Sequence, residues 1–549
     1  MRGLAALSVL CFLLACTTGN LPTAGGSSTT DNPRTALVYG TALDTDSLPI
    51  VNATVRLRPV DYLPEVHSSG LAKKSVGTAD LTTDDAGAFV IADVEPGAYR
   101  IEITDNRTTA VSLPCHVGSH DDSIYLGTHS LKPFARLHGS VVSDSAAFQM
   151  TAAVYGLERT AGVDPRTGAY SFTDLPEGAW SVRLESSSRD HGAGIIDAQP
   201  VPAGFSDTLQ SIMLISFTEE SYAAWPYSRT ITLNTSPSGA AIHDDVYDFP
   251  LLVRLDATNF NFGTARPDGR DIRFARSDGT PLRYEIESWD YLDKRAEVWV
   301  LVDTVYADSA AQSITLFWGK PDALDFSNGS AVFDMSNGFI GVWHCADKGV
   351  AVNAVTGTYT RVGPGIFSRQ GLVGNGLLFT TESEGITTDV TVHPYTMTLS
   401  AWCMSYVNAQ YHSLLRKGAN TSLSTGANNA LTIGRTYDGA KQARWVTPRG
   451  TLPEQTPVFA AVTFTETDSQ ATVAASINGV QQQCADNGFT TGLLNRNAHP
   501  FLIGNGTAAE RSWEGIIDEI RISTVIRSAA WIRLSYENQR NNGDFPTFR

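Results

Sequence analysis

Two glutamates, Glu285 and Glu287, stand two residues apart in the run from Tyr284 to Trp289. On a strand this spacing sends both carboxylates to one face, and two carboxyl groups about 5 Å apart are the machinery of retaining glycoside hydrolysis. The same run also reads as ordinary sheet patterning, with Tyr284 and Ile286 buried and both glutamates facing water. We adopt the second reading, so no catalytic residue is assigned. Carbohydrate recognition asks for different groups: an exposed aromatic face on which a sugar ring stacks, with Asn, Asp or Arg nearby for its hydroxyls. Trp445, Tyr437 and Tyr411 lie in or beside long turn-rich segments and meet that description. No Cys-x-x-Cys spacing marks a metal site, and His344-Cys345 reads as a pair of strand residues.

These groups need elements to hold them. A chain of 549 residues is too long for one core, since single cores stop growing at roughly 250 to 300 residues, so several domains are expected. With 18% charged and 42% hydrophobic residues, the composition is that of a globular protein and lacks the charge density of a coiled coil or a disordered chain. Lys and Arg number 40 against 57 Asp and Glu, a net charge of −17. That sign repels a phosphate backbone, so no nucleic-acid partner is expected.

The apolar run Leu4–Ala15, behind Arg2, is shorter than the roughly 20 residues that span a bilayer and has the length of a secretory signal core. It ends Leu13-Leu14-Ala15-Cys16, which resembles the bacterial lipoprotein box. The resemblance implies that residues 1–15 are a signal peptide and that Cys16 is lipidated and becomes the mature N-terminus. Several acyl chains, at about 0.8 kcal/mol per buried methylene, would anchor the chain stably in a membrane. Thr17 where an Asp would signal retention implies export to the outer membrane and the cell surface. Residues 16–34 are rich in Gly, Ser and Thr, the chemistry of a flexible linker.

Gly87–Ile101 can be laid over Gly168–Val182 without a gap. In both copies a Gly-ended turn opens a strand with an aromatic, a second turn follows, and another aromatic (Tyr99, Trp180) starts the returning strand. The pattern predicts a hairpin whose aromatics pack across its two strands. Asp84, Gly87, Phe89, Pro96, Gly97 and Tyr99 resemble the mark of the carboxypeptidase-regulatory-like, transthyretin-like sandwich, which implies a structural module over residues 35–133. The second copy, residues 134–216, swaps the Pro and Glu order and shows no clear second strand. Residues 222–323 follow with six strand-like runs, whose order and wording resemble a bacterial domain of unknown function that precedes lectin-like jelly rolls.

Short strands at regular spacing continue over 331–549 and predict a sandwich of antiparallel sheets. Val342-Trp343-His344, Leu399–Trp402, Gly515–Ser523 and Arg527–Ile532 resemble the concanavalin A-like, laminin-G-like jelly roll. That fold hosts lectins and glucanases. The glucanases need carboxylates at alternate positions of one strand, and here Arg521 stands where the partner of Glu519 would be. The resemblance implies a family in which a structural calcium is frequent, but one expected acidic position is missing here, because Phe379-Thr-Thr replaces the usual Phe-Asp-Gly; Asp347 and Asp518 are the remaining candidate ligands, and Asp518 reads first as a cap for backbone groups. Trp343, Trp402 and Trp531 fall on family core positions. Export permits disulfides, and Cys403 and Cys484 could pair, one of three pairings open to four cysteines.

The expected protein is therefore all-β and multidomain: two small β-sandwich repeats, a β-rich linking domain and a C-terminal concanavalin A-like jelly roll that folds on its own over 331–549. The expected function is that of a non-catalytic cell-surface lipoprotein binding carbohydrate or glycan through the jelly roll. A structural or adhesive protein that binds protein partners is the alternative, and a glycoside hydrolase is the third reading.

Overall fold

The structure is a computed structural model that describes residues 35–64, 78–143, 149–188, 190–346, 349–363, 365–380, 383, 385–407, 411–418, 420–437, 442–467, 469–487, 498–505, 511–541 and 545–548. Cys16, the expected signal peptide and linker, and Asp347 lie outside the described residues. Among those described, the chain is nearly all strand, and no helix is long and apolar enough to cross a membrane.

Alternating burial along Ala36–Leu43 follows its alternating sequence, and this strand centres a three-stranded sheet. It runs antiparallel to Ala88–Val94 and parallel to Ser123–Ser130. A five-stranded sheet faces it across a core that includes Val38, Val55, Phe89, Tyr99 and Ile101. The expected hairpin does not form. Ala88–Val94 and Gly97–Thr104 belong to opposite sheets, so the Pro96-Gly97 turn is a corner that lets Phe89 and Tyr99 enter one core from its two sides. The Tyr99 hydroxyl donates to the Glu95 carbonyl at 3.0 Å and pins that corner.

The second copy repeats this design. Ala135–Ser143 runs antiparallel to Ala169–Leu175 and parallel to Ser206–Thr208, and Ala169–Leu175 and Gly178–Ser186 again lie in opposite sheets. Trp180 Nε1 donates to the Pro176 carbonyl at 2.9 Å, the same four-residue reach as in the first copy. The strand that the sequence hides is Met150–Val154, whose Ala and Thr residues give only a weak apolar signal.

All six runs expected over 222–323 are strands, from Tyr227–Thr232 to Ser313–Trp318, arranged in two sheets. The jelly roll that follows packs an eight-stranded sheet, with Gly515–Ser523 and Thr396–Ser405 at its centre, against a seven-stranded one. It is not independent of its neighbour. Trp402, Phe459, Trp531, Leu534 and Phe545 belong to the same buried cluster as Phe249, Leu251 and Trp299, whereas the inner jelly-roll core is separate. Thr547–Phe548, at the far end of the chain, adds a strand to Tyr227–Thr232.

The closing helix, Ala529–Gln539, is the main tie. Ser528 caps it by accepting from the Trp531 N–H. The helix then lies along Val246–Asp256, an edge strand whose unpaired groups would otherwise be left without partners. Asn538 meets that need: its Oδ1 accepts from Leu252 N at 2.7 Å and its Nδ2 donates to Leu252 O at 2.9 Å. Arg254 donates to the Asn538 and Gln539 carbonyls, which the helix end leaves free, and Gln539 Oε1 accepts from Trp402 Nε1 at 2.8 Å. The boundary expected between 323 and 331 therefore separates two sequence patterns but not two cores.

Asn538→Ala removes both partners of a buried peptide group and should lower unfolding stability by about 2 to 4 kcal/mol. Denaturant melts of the wild type and the variant measure this. Residues 331–549 alone should fail to give a cooperative transition, while 222–549 should give one.

Candidate functional site

The strand Gly515–Ser523 is buried along its whole length, yet it carries Asp518, Glu519 and Arg521. A bulge makes this possible. Trp402 pairs with Asp518 and Ser400 with Arg521, so the facing strand has one residue fewer, and Glu519 takes a left-handed φ of 51°. Ile517, Ile520 and Ile522 then all enter the jelly-roll core, and the three charged side chains are turned toward the 222–323 domain. A second bulge lies between Ile286 and Ser288, and it drives Glu287 inward. The expectation that Glu285 and Glu287 face water is thus corrected: their side chains are 16% and 1% exposed.

His344, at the end of Phe339–Trp343, completes the cluster. Its Nδ1 lies 2.7 Å from Glu519 Oε1 and 3.8 Å from Glu287 Oε2, and its Nε2 lies 3.2 Å from Glu285 Oε2. The ring stacks on Trp299, with centroids 5.6 Å apart, and Trp299 Nε1 donates to Glu287 Oε2 at 2.8 Å. Arg521 bonds Glu519 Oε2 at 2.7 Å and lies with its guanidinium 4.3 Å from the Trp299 ring centre. Arg521 occupies the alternate position as the sequence predicts, but the second carboxylate comes from Glu287 on another domain. Glu287, His344 and Glu519 each offer a donor atom within 4.8 Å of the others, which makes them a candidate metal centre.

Burial opposes the charge on His344, yet Glu519 and Glu285 outweigh it and hold the imidazole well above its usual value. Burial, followed by the charge of Glu519, raises Glu287 and Asp518 well above the ordinary carboxylate range. Glu519 goes the other way: burial raises it, but His344 and Arg521 bring it below its ordinary value. The cluster in the absence of metal is thus a charged Glu519 between two cations, with Glu287 and Asp518 neutral beside it.

A cleft of about 610 Å³ opens beside this cluster, where both sandwiches, the 222–323 domain and the jelly roll meet. Tyr155, Arg183, Glu285, Trp289, Asp325 and His344 are among its walls. Trp289 is half-buried, held edge-on by Phe260 at 5.8 Å between ring centres, and its Nε1 has no hydrogen-bond partner among the described residues. Gly269 permits this placement, because a Cβ there would lie 2.4 Å from the Trp289 ring and its φ is 70°. Sequence reasoning missed His344, Glu519 and Trp289 as one site, since nothing in their spacing announces that they meet.

The other expected site residues are placed differently. Trp445 and Tyr437 are 6% and 1% exposed and belong to the jelly-roll core, so no sugar ring can stack on them. The reason is pairing on both sides: Gln442–Val446 lies between two strands, and the Tyr437 hydroxyl reaches the Ala471 N–H. Tyr411 is partly exposed, but its ring is covered by Arg444 and Arg511, with guanidinium carbons 5.2 and 5.8 Å from the ring centre. Asp518 accepts from the Leu372 and Val373 N–H groups at 2.7 and 2.9 Å. Backbone donors around a carboxylate suit a cap and not calcium, which needs six to eight oxygens. Cys403 and Cys484 are free thiols: Cys403 is buried in the jelly-roll core, and Cys484, just beyond the strand Val480–Gln482, packs partly buried against it.

The pKa directions give opposite outcomes for two isosteric changes in chelator-treated protein. Glu519→Gln strands two buried cations and should cost about 3 to 5 kcal/mol. Glu287→Gln replaces a group already neutral and should keep the fold. Because the raised pKa of Glu287 means that stability is full below its unfolded pKa and lost as pH rises toward its folded one, Glu287→Gln should gain on the wild type as pH rises above about 5, by at most about 1.4 kcal/mol per unit. Urea melts across that range check both signs.

Comparison with known proteins gives two family matches. Residues 268–345 match a domain of unknown function (DUF2341), and residues 379–533 match the concanavalin A-like lectin/glucanases superfamily. No curated protein matches the chain. Among solved structures it is similar to the binding domain of Paraclostridial Mosquitocidal Protein 1, at 11% identity and a TM-score of 0.30, covering 37% of this chain and 52% of that one. It thus spans about half the length of that relative. Domain 4 of AbnA, an extracellular arabinanase from Geobacillus stearothermophilus solved with arabinotriose, is similar at 16% identity and a TM-score of 0.26, covering 31% and 81%. The sialidase CBM40 of Ruminococcus gnavus, bound to α2,3-sialyllactose, follows at 12% identity and 0.24, covering 29% and 96%. At such scores the fold rests on the family matches: the chain is a nearly all-β protein with a C-terminal concanavalin A-like domain.

Proposed function

We propose that this chain is a non-catalytic cell-surface lipoprotein that binds carbohydrate, with the sugar seated in the cleft against the jelly roll. The cleft carries the proposal. Its volume of about 610 Å³ falls within the usual range for small-ligand sites. Its walls combine the ring of Trp289 with the planar polar groups of Arg183, Asp325 and Glu285. An apolar ring face with forked polar groups around it is what a pyranose offers partners to. The match of residues 379–533 to a superfamily of lectins and glucanases supports the same ligand class. The anchor rests on Leu13-Leu14-Ala15-Cys16 and remains a reading of the sequence.

Hydrolysis is the second reading, favoured by the approach of Glu287 and Glu519 and by their opposite pKa shifts. Access argues against it. Glu519 is fully buried, is bonded to both His344 and Arg521, and is not among the described residues lining the cleft, so a glycosidic bond cannot reach both carboxylates.

A glycan array probed with the full chain should give defined positives. Trp289→Ala should then weaken binding about two- to tenfold, the worth of an aromatic contact of about 0.5 to 1.5 kcal/mol. Reducing ends that accumulate with wild type and vanish in Glu287→Gln would establish the hydrolase instead. For the anchor, Cys16→Ser should move the protein from the membrane fraction to the soluble one; unchanged sedimentation contradicts lipidation.

A further inference from the structure

Among the described residues, five carboxyl groups, those of Glu285, Glu287, Glu297, Asp518 and Glu519, gather around the permanent cations Arg254 and Arg521, with Arg527 beyond Arg521. Even a charged His344 leaves negative charge in excess, and a buried excess must be met by protons or by a metal ion. Three further observations bear on which. Glu287, nine-tenths buried, sets its Oε2 3.8 Å from His344 Nδ1, and its other oxygen, Oε1, has no hydrogen-bond partner among the described residues. Glu287, His344 and Glu519 bring one imidazole nitrogen and two carboxylate oxygens within 4.8 Å of one another. His344, with Nδ1 turned to that group, presents Nε2 to Glu285 at 3.2 Å, the carboxylate–histidine arrangement that orients a metal-bound imidazole.

We propose that Glu287, His344 and Glu519 form a binding site for one divalent transition-metal ion, held by His344 Nδ1 and the two carboxylates, with Glu285 as the partner that fixes the imidazole. One imidazole with carboxylates suits Zn²⁺ or Mn²⁺, and Cys345, whose thiol donates toward the Trp343 carbonyl, supplies no sulfur ligand. The ligands come from three strands in two domains, so the ion would bind only once the 222–323 domain and the jelly roll are docked, and it would hold them together. Glu287 and His344 line the cleft, which gives the ion a way in. Trp299, stacked on His344 and donating to Glu287, keeps two of the ligands in place.

The test is calorimetric titration of the tag-free, chelator-stripped full chain with Zn²⁺, repeated with Co²⁺ for its visible spectrum. One ion per chain, with a cobalt spectrum of low coordination number and a rise in melting temperature, is expected. Glu287→Gln should abolish the stoichiometric ion while folding, free of metal, at least as stably as the wild type. Glu285→Gln should weaken binding about 10- to 100-fold, as loss of a partner behind a ligand does. No saturable binding up to millimolar Zn²⁺ overturns the proposal and leaves protons as the balancing charge. So does one ion per chain bound with unchanged affinity by both Glu287→Gln and His344→Gln, which would place the metal elsewhere.

Discussion

The strand Gly515–Ser523 has to serve two interiors at once, and the single extra residue at Glu519 is how it does so. Without that bulge, strict alternation would send Ile517 and Glu519 to one face and Asp518 and Ile520 to the other, which would mix charge into both cores. With it, three isoleucines fill the jelly roll and the charged side chains face the neighbouring domain. The left-handed backbone of Glu519 is unfavourable for a side-chain-bearing residue, and the packing on both sides is what holds it there. His344, Arg521, Trp299 and Glu287 are all arranged around this one displacement.

The energetics of the arrangement are those of a buried ionic network. Taking His344, Glu519 and Arg521 out of water costs several kcal/mol per ion unless each finds a close, well-aligned partner. Here the two cations flank one carboxylate, and the ring of Trp299 lies against both of them. Such a network adds little net stability over an apolar core, but it penalises misdocking, because a shifted domain would leave a buried charge alone. The Asn538 contacts to Leu252 and the Arg254 contacts to the helix end work in the same direction. The domain pair is therefore specified by polar groups around an apolar contact, and the cleft inherits its shape from that docking.

Local patterns reveal much of this architecture and little of the site. The six runs of the 222–323 domain and the closing strand are written in the strand-forming residues of short segments, whereas the Ser528-capped helix was not foreseen. The repeat was visible as well, yet its two strands were expected to pair; only the competition of both aromatics for one core sends them to opposite sheets. Glu287 looked like a solvent-facing strand residue because a bulge has no sequence mark. Trp445 looked like a loop aromatic because its own strand, Gln442–Val446, is short and partly polar, and Tyr437 because it follows directly on the end of the strand Ala430–Thr436. His344 and Glu519 are separated by 175 positions, and their meeting depends on a sheet whose order spans the jelly roll.

Native-state hydrogen exchange tests the shared core most directly. If one cooperative unit joins the 222–323 domain and the jelly roll, amides of Val246–Asp256 and of the helix Ala529–Gln539 should exchange through the same global opening, with equal free energies and equal denaturant dependence. Exchange of the helix at a markedly lower free energy, while the strand stays protected, would show two domains that merely touch and would contradict the account.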